Sequence, residues 1–541
     1  MKENFFIIDA DNLDDIRSNM YGIAFDSTKF ISDADDFDEN VYTSYSGSFI
    51  TIKKSGNIIN IYQDINGSHG IYIYKEENYF AISNSFIYLF EYLHFSKNKK
   101  LTINFDYACH FLTIPMCSIA YSSTLCSQIN ILSANSEINI YVDKRTYYIN
   151  TNKILLPNTL DIYSEEALEL IDHWINKWAS LIQNLQLQNL FTEIDVTGGF
   201  DSRITLSLAL TSDIDLSKIN FCSAINYPVE DDFSIANTLA TEFNFSINSK
   251  YYASATQYLA TADSWNMSMM TNLGSHHFPY FKNKAYTSSI FKLTGQGGET
   301  IRKYWYYEPY TFEKKIIEND LSEKNISLTA IKFLWDELAK LDLKYNVSRT
   351  DQYRTLVHHL YNETRSRYHF GRSFVTSHIT NYITLAPLLD FELRRINCIS
   401  NGNTDYNLLI AVILTRINKK LVDIPFNSGK AFTSNCIERA MEINSKHKFI
   451  RKINEYPIPK EIIKYIPDST YEKSQESPME RLKKLASTDE IKKIIAQSFG
   501  EKFYTSSMER FTRPGHHPEQ EAFKILAVAK IANPSSSILI R

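Results

Sequence analysis

VTGGFDSRITLSLAL, residues 196–210, sets two adjacent glycines, an acid and a hydroxyl on the seam between an apolar run and a helical pattern, in a chain with only 16 glycines among 541 residues. FTEIDV before it reads as a buried strand, and the residues after the turn read as a helix over 201–211. Consecutive glycines at the end of such a strand let backbone N–H groups approach an anion closely, and the following helix points its positive end at the same spot. A phosphate group is the natural occupant. Thr197 and Ser202 add hydroxyl donors, and Asp201 stands where a Mg²⁺ bridging phosphates needs an oxygen ligand. The turn has no lysine and does not follow G-x-x-x-x-G-K-[ST], nor does it follow the G-x-G-x-x-G of dinucleotide sites. A plain tight turn with a capping aspartate is the alternative. At average residue usage, [ST]-G-G-x-D-S arises by accident on the order of once in a thousand chains of this length.

Working outward, INFCSAI leads to a helix over 232–243, and SSIFKLTG follows after a long excursion. This is the strand–helix cadence of a doubly wound parallel sheet. Upstream, SEEALELIDHWINKWASLIQNL repeats Leu168, Ile171, Trp174, Ile175, Trp178, Leu181, Ile182 and Leu185 at helical spacing, with Ser164 as N-cap and Glu165 and Glu166 in the first turn. Residues 155–163 read as a linker. Before them, GSFITIKK, NIINIYQD, GIYIYKEE, YFAISNS, SEINIYVD and RTYYINT are short alternating strands broken by turns, so residues 1–155 read as a mostly-β domain. The second domain spans 164–541 and turns mainly helical after about 310.

Two folding units suit the length, and 44% apolar with 22% charged residues can bury substantial cores. A net charge of -5 gives no global attraction to nucleic acid or anionic lipid, so neither is an expected partner. Cys109, Cys117, Cys126, Cys222, Cys398 and Cys436 form no C-x-x-C pair and no Cys/His cluster, which fits reduced structural thiols. The opening MKENFFIIDADNLDD turns acidic before a signal-peptide core develops, and no run reaches the ~18 apolar residues of a membrane span. A cytoplasmic protein is expected. The pairs His276–His277 and His516–His517 have diverging side chains in most backbones and read as structural rather than metal-binding.

The turn and three later segments together carry a family resemblance. TGGFDSR resembles the pyrophosphate loop, usually S-G-G-x-D-S, of the N-type ATP pyrophosphatases, in particular the synthetase domain of asparagine synthetases. FCSAINYPVEDDFSIANTLATEF is similar to that family's second segment, with Asp232 at a helix start. LTGQGGETIRKYWYY, residues 293–307, is similar to its second ATP and metal loop, S-G-x-G-x-D-E, and APLLDFELRR resembles its R-x-P-F-L-D element. The four occur in the family's order over 190–395; beyond 400 the likeness is loose. Residues 20–150 look like the family's glutamine-hydrolysing domain, Asp64 to Tyr74 matching its D-x-x-G-x-x-P-L-Y-Y turn. That hydrolysis needs a thiolate at the mature N-terminus, and position 2 is Lys2. The resemblance therefore implies a scaffold without glutaminase activity, as in the branches that make β-lactams or close lasso peptides.

The resemblance implies an adenine nucleotide alpha hydrolase-like α/β synthetase domain behind an N-terminal mostly-β, α+β domain of the Ntn-hydrolase type. It implies ATP and Mg²⁺ as cofactors of a carbon–nitrogen ligase that adenylates a carboxylate and passes it to an amine. Thr197, Gly198, Gly199, Phe200, Asp201, Ser202, Thr294 and Gly295 would hold the nucleotide, with the backbone of Ile225 near adenine. Asp201 and Glu299 would hold the metal, Glu299 replacing the family's usual Asp. Gln296 takes the third position of the second loop, acidic in asparagine synthetases and tyrosine in β-lactam synthetases, and it cannot accept a proton. Arg203, Gln296 and Arg302, with Tyr304, Trp305, Tyr306 and Tyr307, are candidates for an anionic or sugar-like acceptor; core packing is the other reading of that aromatic run. A transition-state lysine is expected from the C-terminal part, where Lys430 in FNSGKAF, Lys446, Lys448 and Lys452 are not ranked.

The expected partners are a small-molecule, sugar-acid or peptide carboxylate and an amine donor, in a chain compatible with a homodimer. The G-G-E-x-x-R variant looks more like bacterial relatives in surface-polysaccharide or peptide natural-product pathways than like housekeeping asparagine makers. Two other readings stay open. One is a tRNA-modifying enzyme of the same loop class, which the acidic charge disfavours; the other is a non-catalytic binding or scaffolding protein, suggested by Lys2, Gln296 and Glu299.

Overall fold

A computed structural model describes residues 5–113, 122–143, 146–154, 158–224, 231–250, 258–259, 290–302, 308–318, 324–347, 352–371, 382–397, 405–458, 471–472, 478–509 and 518–536. The N-terminal region is built from antiparallel sheets. One has four strands in the order Ile7–Asp9, Tyr79–Ser83, Tyr72–Glu76, Ile129–Ile131; the other has six, in the order Thr146–Lys153, Ser136–Asp143, Ile58–Gln63, Ser46–Ser55, Asn19–Phe25, Phe30–Ile31. All six strands expected from alternation are present. The pleat puts every second residue on one face, so Ile50, Ile52, Ile59, Ile61, Ile138 and Ile140 of the larger sheet meet Ile8, Phe80 and Ile82 of the smaller one in a shared core.

The smaller sheet is covered on its other face. Tyr72, Tyr74 and Ala81 pack with Phe86, Phe90 and Tyr107, and then with Phe333 and Leu334 of the helix Lys324–Tyr345 and with Phe523 and Leu526 of the helix Pro518–Ala532. The last helices of the chain thus complete a core that its first strands begin. Alternation cannot report this, because a strand's second face reads as apolar whatever covers it.

The C-terminal region holds a five-stranded, all-parallel sheet in the order Ile247–Lys250, Asn220–Ala224, Thr192–Asp195, Ile290–Leu293, Tyr382–Leu385. The edge strand Ile247–Lys250 is not among the strands read from the sequence, whereas Thr192–Asp195, Asn220–Ala224 and Ile290–Leu293, with the helices Phe200–Thr211 and Asp232–Phe243, follow that reading. The fifth strand does not: YITL lies in the part read as mainly helical, and it is placed by pairing with Ile290–Leu293. The chain steps outward from the Thr192–Asp195 strand on one side, then returns to its other side. The order therefore reverses between Thr192–Asp195 and Ile290–Leu293, and in open parallel sheets ligands settle at the carboxyl ends of the strands flanking such a reversal.

The 23-residue helix Glu165–Leu187 joins the two regions. Its Trp178 meets Phe25 of the larger N-terminal sheet edge to face at 4.9 Å, and its buried Lys177 lies 2.9 Å from both Asp390 and Glu392. Asp390 also accepts from Trp178 Nε1 at 3.0 Å and from Ser46 Oγ. Asn66, in the turn after the strand Ile58–Gln63, donates to the carbonyl of Leu389 at 2.8 Å. Ser164 caps the helix as expected, its side chain accepting from the Ala167 amide at 3.1 Å. Ser164→Ala is expected to cost about 1 kcal/mol in urea-induced unfolding, because one orphan N–H of the first turn loses its partner. Among the described residues no helix is long and apolar enough to cross a membrane.

Candidate functional site

Three loops and one helix start meet at the order reversal. The first is 196–199, leaving the central strand. Gly199 is the N-cap of Phe200–Thr211 and has no side chain to cap it, so the amides of that first turn are left to other partners. The second is 294–297, leaving the Ile290–Leu293 strand and entering the short helix Gly298–Ile301, with Gly297 at φ +103°. The third is 426–430, the FNSGK segment.

The first two loops touch through glycine. A Cβ on Gly295 would lie 2.6 Å from the Ser202 amide nitrogen and 2.7 Å from the Asp201 carbonyl carbon, and one on Gly298 would lie 2.2–2.5 Å from the carboxylate atoms of Asp201. Any side chain at either position would drive the loops apart. The third loop closes on the first in the same way, with a Gly198 Cβ meeting Asn427 Cβ at 2.7 Å and Ile235 Cδ1 at 2.8 Å.

Hydrogen bonds lock this arrangement. The Gly198 amide donates to Asp232 Oδ1 at 2.8 Å, and Asn427 Nδ2 donates to the same oxygen at 2.7 Å. The Asn427 amide in turn donates to the Gly198 carbonyl at 2.9 Å. The Gly199 amide donates to Thr197 Oγ1 at 3.2 Å, and Ser202 Oγ accepts from the Thr197 amide at 3.1 Å. This corrects one expectation: the two glycine amides are turned to Asp232 and Thr197 rather than left open, and Gly198 is glycine because two other segments press on it. Gly199 is different, since a Cβ there would find only Thr197 Oγ1, at an ordinary 3.4 Å. Asn427→Ala is expected to lower stability by about 1–3 kcal/mol in chemical denaturation, since buried Asp232 loses the Nδ2 donor of Asn427.

Asp201 is the electrostatic centre. Arg302 Nη2 lies 2.7 Å from its Oδ2, while Oδ1 is buried and accepts no hydrogen bond among the described residues. Burial pushes the carboxyl up to about 6; the charges of Arg302 and Lys430 oppose this and the charge of Glu299 adds to it. The side chain as a whole keeps 23% exposure. Glu299 and Lys430 are therefore neighbours of Asp201 in space, contributed by the second and third loops.

The other expected residues divide. Thr294 is buried, its amide donating to Leu385 at 2.9 Å, and Gln296 follows in the same loop with its amide 3.4 Å from Thr294 Oγ1. Phe200 packs its ring against Phe426 and Phe432, centroids 4.4 and 4.7 Å away. Arg203, expected to face an acceptor, is instead fully buried: Nη1 and Nη2 donate to the carbonyls of Leu421, Ile424 and Pro425, and the guanidinium lies 3.6 Å over Phe426. It staples the third loop to the helix and is not available to substrate. Arg302 is likewise the counter-ion of Asp201 in this arrangement. Lys446 lies over the Tyr163 ring at 5.4 Å, while the charge of Lys430 reaches Asp201. Asp232 and Asn427, the tether of the turn, carry no sequence signal beyond a helix start and a loop. Ile225, Tyr304 to Tyr307 and both histidine pairs lie outside the described residues.

Cys109, Cys126, Cys222 and Cys436 are buried and unbridged. Burial pushes Cys109 up to about 12 and Cys126 to about 11, so neither supplies a thiolate near neutral pH. Among the described residues no three His, Cys, Asp or Glu side chains gather as a metal cage. A Mg²⁺ does not need one: it is commonly held by one or two carboxylates, with phosphate oxygens and water completing its shell. The vacant Oδ1 of Asp201 with Glu299 beside it fits that donor set.

No protein-family model matches the chain, and no curated protein matches it in sequence.

Proposed function

We propose that the chain is an ATP-dependent carbon–nitrogen ligase, forming AMP and pyrophosphate, that activates a carboxylate as its adenylate and transfers it to an amine. In this reading its C-terminal region is of the adenine nucleotide alpha hydrolase type and its N-terminal region an Ntn-type scaffold without glutaminase activity. The observation that carries it is the half-paired, desolvated carboxylate of Asp201, set between two glycine-dependent loops where the strand order reverses. Strand ends of this kind, an uncapped helix start and a neighbouring lysine suit a triphosphate better than they suit a neutral ligand.

ATP supplies the leaving group that makes a carboxylate reactive toward an amine. The chain's part is positioning and charge. Asp201 and Glu299 would hold Mg²⁺, and the first-turn amides of Phe200–Thr211 would face the phosphates. Lys430 would neutralise charge that builds on the departing diphosphate, while Arg302 holds the Asp201 carboxylate in place. The amine loses its proton to solvent or to a group other than Gln296. Carboxylates of sugar-acid, amino-acid or peptide type are the substrate class, in bacterial surface-polysaccharide or peptide natural-product biosynthesis.

The test is ATP-dependent exchange of labelled pyrophosphate with a panel of such carboxylates. Gly199→Ala sharpens it. Its Cβ meets nothing tight in the protein, so folding is expected to change by no more than about 1 kcal/mol. Yet the methyl stands where the phosphates would approach, and exchange is expected to fall at least tenfold. Failure of every carboxylate to support exchange would favour the second reading, a non-catalytic binding protein, which the internally satisfied Gly198 and Gly199 amides also suit.

A further inference from the structure

A cavity of about 230 Å³ lies away from the glycine loops, where the strand Ile129–Ile131 and the residues after it face the helices 324–345 and 352–371. It shares no residue with the site above. Its walls bring together Glu337, Lys340, Lys344, Glu363 and Arg367 with Leu132, Leu341 and Leu360. Two of the ion pairs close on themselves: Lys340 with Glu337 at 2.5 Å, and Lys344 with Glu363 at 2.7 Å. Arg367 makes no such ion pair among the described residues, although the charges of Glu363 and Asp64 act on it and its Nη2 lies against Gly67. Only 3% exposed, it spends Nη1 on the Leu132 carbonyl at 2.6 Å, while Nε and Nη2 donate to nothing among the described residues. These two N–H groups form one edge of the guanidinium, the edge that a carboxylate grips with both oxygens. Oε1 of Glu363, one helical turn earlier and 7% exposed, is likewise without a partner.

Buried polar groups are almost always satisfied, and exceptions call for a specific explanation. Here a donor edge and an acceptor oxygen are left open together beside a volume larger than the ~150 Å³ that admits benzene in an apolar cavity. The backbone beneath them is irregular, with π-helical turns at Tyr361–Arg365 and Arg367–Gly371, and such turns are frequent at functional sites. We infer that this cavity is a second small-molecule site, taking an organic acid whose carboxylate lies on Arg367 and whose amino or hydroxyl donor reaches Glu363.

Calorimetric titration of the full chain with α-amino acids, α-hydroxy acids, acetate and inorganic phosphate tests this. Saturable binding of an amino or hydroxy acid is expected, at least tenfold tighter than acetate, which has no donor for Glu363. Arg367→Lys keeps the charge but loses the fork and is expected to weaken binding at least tenfold. Because that variant disturbs a buried group, Ser133→Phe is the second probe: it fills the cavity, leaves Arg367 in place, and is expected to abolish binding while pyrophosphate exchange persists. Absence of saturable binding to the wild type overturns the inference. So does binding that survives both variants, which would place the ligand elsewhere, or a preference for phosphate over every carboxylate.

Discussion

Asp201→Asn is expected to remove pyrophosphate exchange, by on the order of 10³-fold, and at the same time to make the ligand-free protein more stable. The loss follows from the proposed role, since a neutral amide holds Mg²⁺ poorly and a misplaced metal leaves the departing diphosphate unscreened. The gain follows from burial. The Asp201 carboxyl titrates near 6 in the folded chain, against 3.8 for the free group. Between those values the folded state holds more protons than the unfolded one, so stability falls as pH rises from about 4 to about 6 and stays lowered above that. Asparagine carries no charge to desolvate. The variant is expected to be more stable than wild type by about 1–3 kcal/mol at pH 7.5 and no more stable near pH 4. Chemical denaturation at the two pH values, with exchange assayed at the higher one, reads both effects. A variant that exchanges normally removes Asp201 from the mechanism; one that is destabilised at pH 7.5 shows that the Arg302 pair outweighs burial.

Gly298→Ala is the second large effect. Its methyl would sit 2.2–2.5 Å from three carboxylate atoms of Asp201, well inside any allowed contact, so either the carboxylate or the whole 294–302 loop must move. Displacing a reacting group by about 1 Å costs on the order of 10²-fold in rate, and exchange is expected to drop at least that far. The fold itself should survive, because the cores on either side do not pass through Gly298. Circular dichroism and an unchanged N-terminal core would accompany the lost activity. Gly56→Ala is the matched control: a Cβ there meets nothing within 4 Å, and its φ of +56° costs only local backbone energy. Full exchange in Gly298→Ala would mean that Asp201 need not keep its present place.

Much of this was written locally in the chain. Alternation marked the six N-terminal strands, helical spacing from Leu168 to Leu185 marked the connecting helix, and Ser164 marked its start. The glycine turn stood out because its residues are contiguous. The Tyr382–Leu385 strand was missed because four residues without a neighbouring turn signal carry no period to count. Arg203 was misjudged because proximity in sequence to Asp201 says nothing about direction: on the helix it points to the Leu421–Pro425 carbonyls, more than 200 residues away in the chain.

By itself, then, the sequence determined where the longer periodic strands and helices lie, and that a glycine turn ends a buried strand before an acid, since these depend on periods of two and 3.6 residues and on backbone freedom at single positions. Only the tertiary structure decided that Gly198 is tethered by Asp232 and Asn427, that the charge of Lys430 reaches Asp201, and that Arg367 lines a cavity with part of its guanidinium left without a hydrogen-bond acceptor among the described residues. Each of those depends on groups far apart in the chain arriving at one place. Packing of whole elements sets such meetings, and no short stretch of residues encodes them.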